Sequence, residues 1–416
     1  MTHLYTVEKV LNNGWGLARS EEGEAVFIPE GLPGERFQVE QVAKRKGAKW
    51  AETHRRLDES SIRAAPCCPH FGDCGGCQLL HVARPRELDV KLDFLKDCLR
   101  RIGRMDPPDI EARDFPLEGS RIRGKFHTGR DGILGFKSEK SHRVHPISHC
   151  RVLPQSVRLL LPRLEALAKA GHFRGEVCFA ADTDGLNPAL EYVGRASTRF
   201  LPEIFLPAGA KGALLRDGPR RHSLGEPWVA FCWRGLKVRL RASQFFQSNP
   251  LSWPVFFEQV DGYLTRFNPS RVWDSHAGSG FLTSCLEGRE VFCSEPDPLA
   301  WKVLQGALEE RSFRYHGFHG TAEQAIERGH AALGRIDGML LDPPRAGLSP
   351  ELRSWLLTQG PASLLYFSCD MASFSRDLAD LDSAYRLCPP IFAMNVNPGT
   401  LRLEMSATLE RRRQAA

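Results

Sequence analysis

Long apolar runs are missing from this 416-residue chain. No stretch approaches the length of a membrane span, and the opening Met1-Thr-His-Leu-Tyr-Thr-Val-Glu-Lys9 lacks the apolar core of a secretion signal. A cytoplasmic location with no membrane partner is therefore expected. Charge of one sign is also scarce: 56 Lys and Arg stand against 50 Asp and Glu, a formal +6. So mild a surplus does not by itself prove a nucleic-acid partner. Internal repeats and low-complexity segments are absent, which excludes repeat architectures. What remains is 42% hydrophobic and 25% charged, the balance of a globular protein that buries sizeable cores. The length points to two or three domains. No obligate protein partner is evident, and a monomer is the default.

A reducing location leaves the 12 cysteines without a disulfide framework and gives weight to cofactor or catalytic roles. Cys98, Cys178, Cys232, Cys285, Cys293 and Cys388 sit among apolar residues and are expected to be small buried hydrophobes. A different group, Cys68-Pro-His-Phe-Gly-Asp-Cys74-Gly-Gly-Cys77, has the C-x5-C-x2-C spacing that invites a soft metal. Structural zinc usually takes two C-x2-4-C arms, and no second such arm exists here. An iron–sulfur cluster with a distant fourth thiolate fits better, with Cys150 as the candidate. Spacing alone leaves Cys67 open as a substitute for Cys68.

Three regions are expected. Residues 1–58 read as a small all-β barrel, with β-rich Ala25-Val-Phe-Ile28 and Phe37-Gln-Val-Glu40 between glycine-marked turns. Just inside its end, Lys44-Arg-Lys-Gly-Ala-Lys-Trp50 and His54-Arg-Arg56 set basic residues around an aromatic, a pattern suited to a phosphate backbone and an exposed base. Residues 59–235 form a mixed α+β region. Its clearest element is a helix over 86–101, with Leu88, Leu92, Leu95 and Leu99 on one face. Residues 236–416 alternate strands and helices, which implies an open, mostly parallel sheet with its ligand at the strands' carboxyl ends.

Within that last region, Val272-Trp-Asp274 runs into Ser-His-Ala-Gly-Ser-Gly280 and then apolar residues at helical spacing. Glycines there let a backbone approach a ligand, and a following helix would offer free N–H groups. The loop is not the full G-x-G-x-x-G fingerprint, so a dinucleotide is not specifically indicated. Glu295, ending the next strand, is placed to accept from ribose hydroxyls, a pattern suiting S-adenosylmethionine as well as nucleotides. Asp342-Pro-Pro-Arg-Ala-Gly-Leu348 follows an apolar strand and makes a stiff loop that can hold a carboxylate against a ligand. Tyr366-Phe-Ser-Cys369-Asp370 sets a cysteine at a strand tip, and Glu404 offers a carboxylate on a late strand.

In order, these motifs resemble those of the RNA 5-methyluridine methyltransferase family, in its branch with a TRAM domain and an iron–sulfur cluster. The likeness extends over nearly the whole chain. Val7-Glu-Lys-Val through Val26-Phe-Ile-Pro and Leu32-Pro-Gly-Glu35 are similar to the TRAM barrel, an RNA-binding module. The resemblance implies a Rossmann-like α/β methyltransferase domain, an N-terminal TRAM/OB-like barrel and a central domain carrying a [4Fe-4S] cluster on Cys68, Cys74, Cys77 and Cys150. It implies Cys369 as the nucleophile that adds to uracil carbon 6, and Glu404 as the general base at carbon 5. S-adenosylmethionine would be held by Gln247 of Ser243-Gln-Phe-Phe-Gln247, by His276, Gly278, Glu295 and Thr321, and by Asp342, which holds the methyl donor or uracil. The target uridine must be flipped out of its stack, with Arg121, Arg123 and Lys125 as candidate backbone grips. The branch leans toward 23S-type ribosomal RNA, with transfer RNA as the alternative.

Departures from the family pattern carry expectations too. Asp370-Met371 replaces Asn-Pro after the nucleophile, and a carboxylate beside Cys369 is expected to raise its pKa. Arg402, in a histidine position, is the candidate compensating cation. Gly124 stands for the Asn of an Arg-Asn-Lys motif. His276, Phe281 and Thr321 also differ from the usual residues. Two rival readings follow: a weakly active or inactive RNA-binding homologue, which Asp370 favours, and an amino-methyltransferase, which needs no strand-tip cysteine.

Overall fold

The computed structural model describes residues 3–45, 47–139, 141–196 and 206–413. Five strands, β1 (His3–Val10), β2 (Trp15–Arg19), β3 (Ala25–Pro29), β4 (Arg36–Arg45) and β5 (Ala48–Arg56), close a barrel in the order β1-β2-β3-β5-β4. Strand alternation buries Tyr5, Val7, Val26, Ile28, Phe37 and Val39 inside it. The basic stretch forms the β4–β5 hairpin, with Lys46 outside the described residues. Trp50 is half-buried, edge-on to Trp15 at 4.7 Å and beside Phe27, and Lys49 pairs with Glu24. The aromatic expected to meet a base is thus already packed among its own neighbours.

Glu35 explains the Leu32-Pro-Gly-Glu35 turn. It is fully buried, accepts from Leu32 N at 2.9 Å and Ser60 N at 3.2 Å, and pairs with Arg63. Burial opposes its ionisation, yet the Arg63 guanidinium and these N–H groups hold its carboxyl below the usual range. The pair fastens the barrel to the chain that leaves it.

That chain reaches α1 (Arg84–Arg101) and β6 (Ile110–Asp114). A seven-stranded sheet follows, from β7 (Arg123–Thr128), β8 (Leu134–Lys137), β9 (Val144–Pro146), β10 (Phe173–Ala180), β11 (Ala189–Ala196), β12 (Gly212–Asp217) and β13 (Arg220–Gly225). Its order is β13-β12-β11-β10-β7-β8-β9, and α2 (Gln155–Lys169) packs on it through Leu160, Leu161 and Leu164. Gly124 has a packing reason: a Cβ there would meet the Phe179 ring at 2.7 Å, so an asparagine would collide with this core. Next comes a hairpin of β14 (Trp228–Trp233) and β15 (Leu236–Arg241), whose turn contains the 235/236 junction. Cys232, expected to be buried, is exposed on β14 because strand alternation turns it outward between Phe231 and Trp233. The other five cysteines of that group are buried.

The last region alternates α3 (Trp253–Phe267), β16 (Arg271–Asp274), β17 (Glu290–Glu295), α4 (Pro298–Glu310), β18 (Tyr315–His319), α5 (Ala322–Leu333), β19 (Gly338–Leu341), α6 (Pro350–Gln359), β20 (Ser363–Ser368), α7 (Met371–Leu381), β21 (Tyr385–Asn395) and β22 (Glu404–Arg411). Its sheet runs β18-β17-β16-β19-β20-β22-β21-β6, parallel from β18 through β20 and antiparallel at β22. The eighth strand is β6, contributed from far upstream and parallel to β21. One expectation fails here. The chain after Gly280 forms only a 3-10 turn at Thr283–Cys285, not an α-helix. Few residues separate Gly280 from β17, and Thr283 spends its hydroxyl on Asp274. Phe281 is drawn into an aromatic cluster with Trp233, Trp253 and Phe257.

Two cores cross the region boundaries. One runs from Phe126 and Phe179 through Trp233 and Trp253 to Phe367. The other joins barrel residues Val10 and Leu32 to Leu79, to Phe94 and Leu95 of α1, and to Phe374 and Leu378 of α7. No helix among the described residues is long and apolar enough to cross a membrane.

Candidate active site

All parallel strands of the large sheet end on one edge, and that edge collects the acidic side chains. Asp274 closes β16, Glu295 closes β17, Asp342 follows β19 and Cys369 follows β20. The antiparallel β22 begins at that same edge with Glu404. Its register pairs Ser368 with Met405, so the next step of the ladder sets Cys369 opposite Glu404. Residues 35 apart in sequence thus become cross-strand neighbours through one strand reversal.

These groups perturb one another. Burial, then the charge of Asp342, pushes the Glu404 carboxyl up to about 8, with Arg345 opposing. Burial and Asp274 raise Asp342 to about 7. Burial, Glu404 and Asp342 push the Cys369 thiol up to about 12, again against Arg345. So large a mutual disturbance among a thiol and two carboxyls marks a functional edge. Asp370, expected to burden the thiol, is not among the groups that raise it. Its carboxylate accepts from Ala372 N at 3.1 Å and Ser373 N at 2.8 Å, capping α7. Arg402 lines the cavity at Cys369, but the cation that steadies the thiol is Arg345 of the Asp342-Pro-Pro-Arg345 loop. The sequence signal for Arg345 was its place two residues past the prolines.

The neighbouring part of the edge suits a nucleoside. Gly278 N donates to Glu295 Oε2 at 2.8 Å and Asp297 N to Oε1 at 2.7 Å, so the glycine turn and the strand-ending acid are one unit. Gly278 and Gly280 adopt φ of 55° and 96°, the left-handed region that glycine enters without strain. Asp274, absent from the sequence-based candidates, is buried; Oδ2 accepts from Thr283 at 2.6 Å while Oδ1 has no partner among the described residues. An orphaned buried acceptor at this edge is a place for a ligand's donor. His276 is half-buried against Ser275 Oγ at 2.8 Å, and burial pulls its imidazole down to about 4, so it stands neutral. Thr321 lies at the start of α5, where its hydroxyl forms a capping box with Gln324. Gln247 is 9% exposed in the segment entering α3, and nearby Asn249 Nδ2 donates to Val396 O at 3.0 Å, in the loop before Glu404.

Of the three expected backbone grips, none is free. Arg121 donates to Asn397 Oδ1 at 3.0 Å, Arg123 to Phe246 O at 3.2 Å, and Lys125 pairs with Glu176 at 2.8 Å. Beside Arg123, however, Phe245 is 68% exposed, with the guanidinium 4.8 Å from its ring centroid. Such an exposed aromatic carrying a cation is a base-stacking platform. Its signal was the Phe245-Phe246 pair, of which strand-like alternation buries only Phe246.

Away from this edge, Cys74, Cys77 and Cys150 are mostly screened from water while Cys67 is exposed near Arg151. Burial pushes Cys77 up to about 12 and Cys150 to about 11, and each is raised further by Cys74 and Cys68. Four thiols that perturb one another surround one spot. Arg121 lies against Cys77 and Cys150, a buried cation suited to an anionic group there. Among the described residues, no three His, Cys, Asp or Glu close on a single metal ion. A multi-iron cluster spaces its thiolates more widely than one ion does, so the donor set fits a cluster better than zinc.

No family model matches the chain. Over 432 residues it is 31% identical to the 23S rRNA (uracil(1939)-C(5))-methyltransferase RlmD of Azoarcus sp., covering 97% of this chain and 99% of that protein. The enzyme of the same name from Dechloromonas aromatica is 30% identical over 440 residues, with 97% and 98% covered. Among solved structures, the Pyrococcus abyssi tRNA (uracil-54, C5)-methyltransferase in complex with S-adenosyl-L-homocysteine superposes with a TM-score of 0.77 at 19% identity, over 97% of this chain and all of that one. Identity at this level over the full length, on a shared fold, places the chain in the RNA uracil-C5 methyltransferase family.

Proposed function

We propose that the chain methylates carbon 5 of a uridine in large-subunit ribosomal RNA, by covalent catalysis from Cys369 with Glu404 as general base. The ladder register that sets Cys369 opposite Glu404 carries this reading. Binding alone needs neither group, and amino-methylation needs no thiol. S-adenosylmethionine, when bound along Gln247, His276, Gly278, Glu295 and Asp342, supplies the methyl on a positively charged sulfur. Cys369 Sγ adds to uracil carbon 6, which makes carbon 5 nucleophilic. After methyl transfer, Glu404 takes the carbon-5 proton and the thiolate leaves. A positive charge brought to the edge favours the ionised forms of Glu404, Asp342 and Cys369, so cofactor binding primes the thiol and the base together. With its hydroxyl spent as a cap, Thr321 approaches an adenine through its backbone N–H.

The ribosomal substrate is supported by full-length relatives at 30–31% identity that carry that activity in their names, against a transfer-RNA enzyme at 19%. In this reading residues 1–58 are a TRAM barrel that holds RNA, 59–235 the cluster-bearing domain and 236–416 the catalytic domain. Cys68, Cys74, Cys77 and Cys150 hold a [4Fe-4S] cluster, which when bound cross-links the 68–77 loop to Cys150. Arg121 connects that spot to Asn397, in the loop that ends at Glu404.

The test is methyl transfer from labelled S-adenosylmethionine to bulk RNA lacking 5-methyluridine, followed by nucleoside analysis. Wild type should place label in 5-methyluridine and Cys369→Ala none, with cofactor affinity unchanged. A Cys369→Ala variant that keeps full activity would overturn the covalent route.

A further inference from the structure

A cavity of about 320 Å³ opens outward from Cys369. Glu404 and Asp342 are not on its walls; they lie on the inner side of the thiol. A uracil that offers carbon 6 to Sγ and its carbon-5 proton to Glu404 must fill that inner side. The outer cavity is therefore left for what is attached to the target nucleoside. Its walls come from separate parts of the chain: Asn12 from the barrel, Gln78 from the cysteine loop, Glu139 from the central sheet, and Arg345, Leu401 and Arg402 from the catalytic region.

Resting on the uridine reading above, we infer that this outer cavity is a second nucleotide site: it receives the base adjacent to the target uridine, read by the Asn12 and Gln78 amides. The barrel wall is fixed in place. A Cβ at Gly14 would stand 3.6 Å from Leu401 and 3.7 Å from Gln78, Lys9 pairs with Asp97 of α1 at 2.8 Å, and Val10 and Leu32 belong to the catalytic core. Gln78 is pre-set as well. Its backbone N donates to Gly399 O at 2.9 Å and its Nε2 to Gly75 O at 2.9 Å, which leaves Oε1 to accept. The exposed Asn12 amide, bonded to no described residue, offers a donor and an acceptor together. Amides of this kind read base edges. Arg345 and Arg402 lie on the same wall and suit the phosphate that joins the two nucleotides. The barrel thus takes part in substrate choice at the active site, in addition to holding RNA at a distance.

The experiment uses hairpin RNAs with a loop uridine and randomised bases on both sides, methylated by the full-length enzyme, with 5-methyluridine mapped by sequence. Wild type should prefer one base at one flanking position by roughly ten- to a hundredfold. In Asn12→Ala and Gln78→Ala the preferred template should fall to the rate of the others, while S-adenosylhomocysteine affinity stays at the wild-type value. Variants that retain the flanking preference, or a wild type without one, overturn the second site and leave uridine methylation standing. No 5-methyluridine on any template with wild type overturns both.

Discussion

The strand-edge thiol and the cysteine-loop thiols start from the same physics and end with different chemistry. Burial pushes Cys369 and Cys77 alike to about 12 and Cys150 to about 11. Around Cys369 the neighbours are carboxyls that can move a proton, and Arg345. Around Cys77 they are other thiols, and Arg121. A raised thiol pKa therefore says little by itself; the company it keeps separates a nucleophile from a ligand set. The two spots also differ in how they are held. The edge is built by parallel crossovers and one strand reversal, whereas Cys68, Cys74 and Cys77 sit in a loop with little regular structure of its own.

Substitutions at the two spots should therefore fail in different ways. Glu404→Gln should lower turnover by roughly 10²- to 10⁴-fold and leave a denaturation-resistant enzyme–RNA adduct, because Cys369 can add but the carbon-5 proton has no acceptor. In the wild type kcat/KM should rise with pH as Glu404 loses its proton near 8, a limb visible in a pH profile of single-turnover rates. If Glu404→Gln left neither adduct nor rate loss, the two thiol environments would not differ in the way described. Cys77→Ser should act oppositely. Protein purified without oxygen should carry about four irons per chain in the wild type and far fewer in the variant, with a lower Tm. A colourless wild type carrying zinc would remove the ligand-set half of the contrast.

Further from both spots, buried Lys91 joins them. Its Nζ meets Glu87 at 2.8 Å, Asn395 Oδ1 at 2.6 Å and Asn397 O at 3.2 Å, while Gly399 N donates to Glu87 at 2.8 Å. Lys91→Met strands the buried Glu87 carboxylate and should cost about 3–5 kcal/mol, read as a shift in the chemical denaturation midpoint. The smallest effect concerns Glu404 again. Its carboxyl keeps its proton up to about 8 in the fold but loses it near the ordinary 4.5 when unfolded. Between those values the folded state binds more protons, so stability falls as pH rises. Glu404→Gln should match the wild-type Tm at about pH 4 and exceed it by a few degrees above about pH 8.

Much of the catalytic region was legible because its strands carry their own signals. Glu290–Glu295, Pro298–Glu310 and Ser363–Ser368 form where apolar runs and helical spacing place them. The helix at 86–101 begins two residues earlier, and its buried side includes Val90, Phe94 and Cys98 beside the expected leucines Leu95 and Leu99. Strand β6 was not legible: Ile-Glu-Ala-Arg-Asp is mostly exposed and joins the sheet edge by backbone pairing to β21, which no side-chain pattern encodes. Asp370 misled for a related reason. Adjacency in sequence suggested a charge beside the thiol, but the turn into α7 sends that carboxylate to the helix N-terminus.

By itself the amino-acid order determined which groups stand at strand ends, because apolar runs, turn residues and acids are local and strand length follows from them. Residue identity likewise set the family likeness and the four-cysteine spacing. Only the tertiary structure decided who faces whom. The reversal at β22 put Glu404 across from Cys369, Arg345 took the part expected of Arg402, and the docked barrel carried Asn12 to the mouth of the cavity. Those pairings depend on strand register and on cores shared between distant segments, and a one-residue slip of register would have undone them without changing a letter.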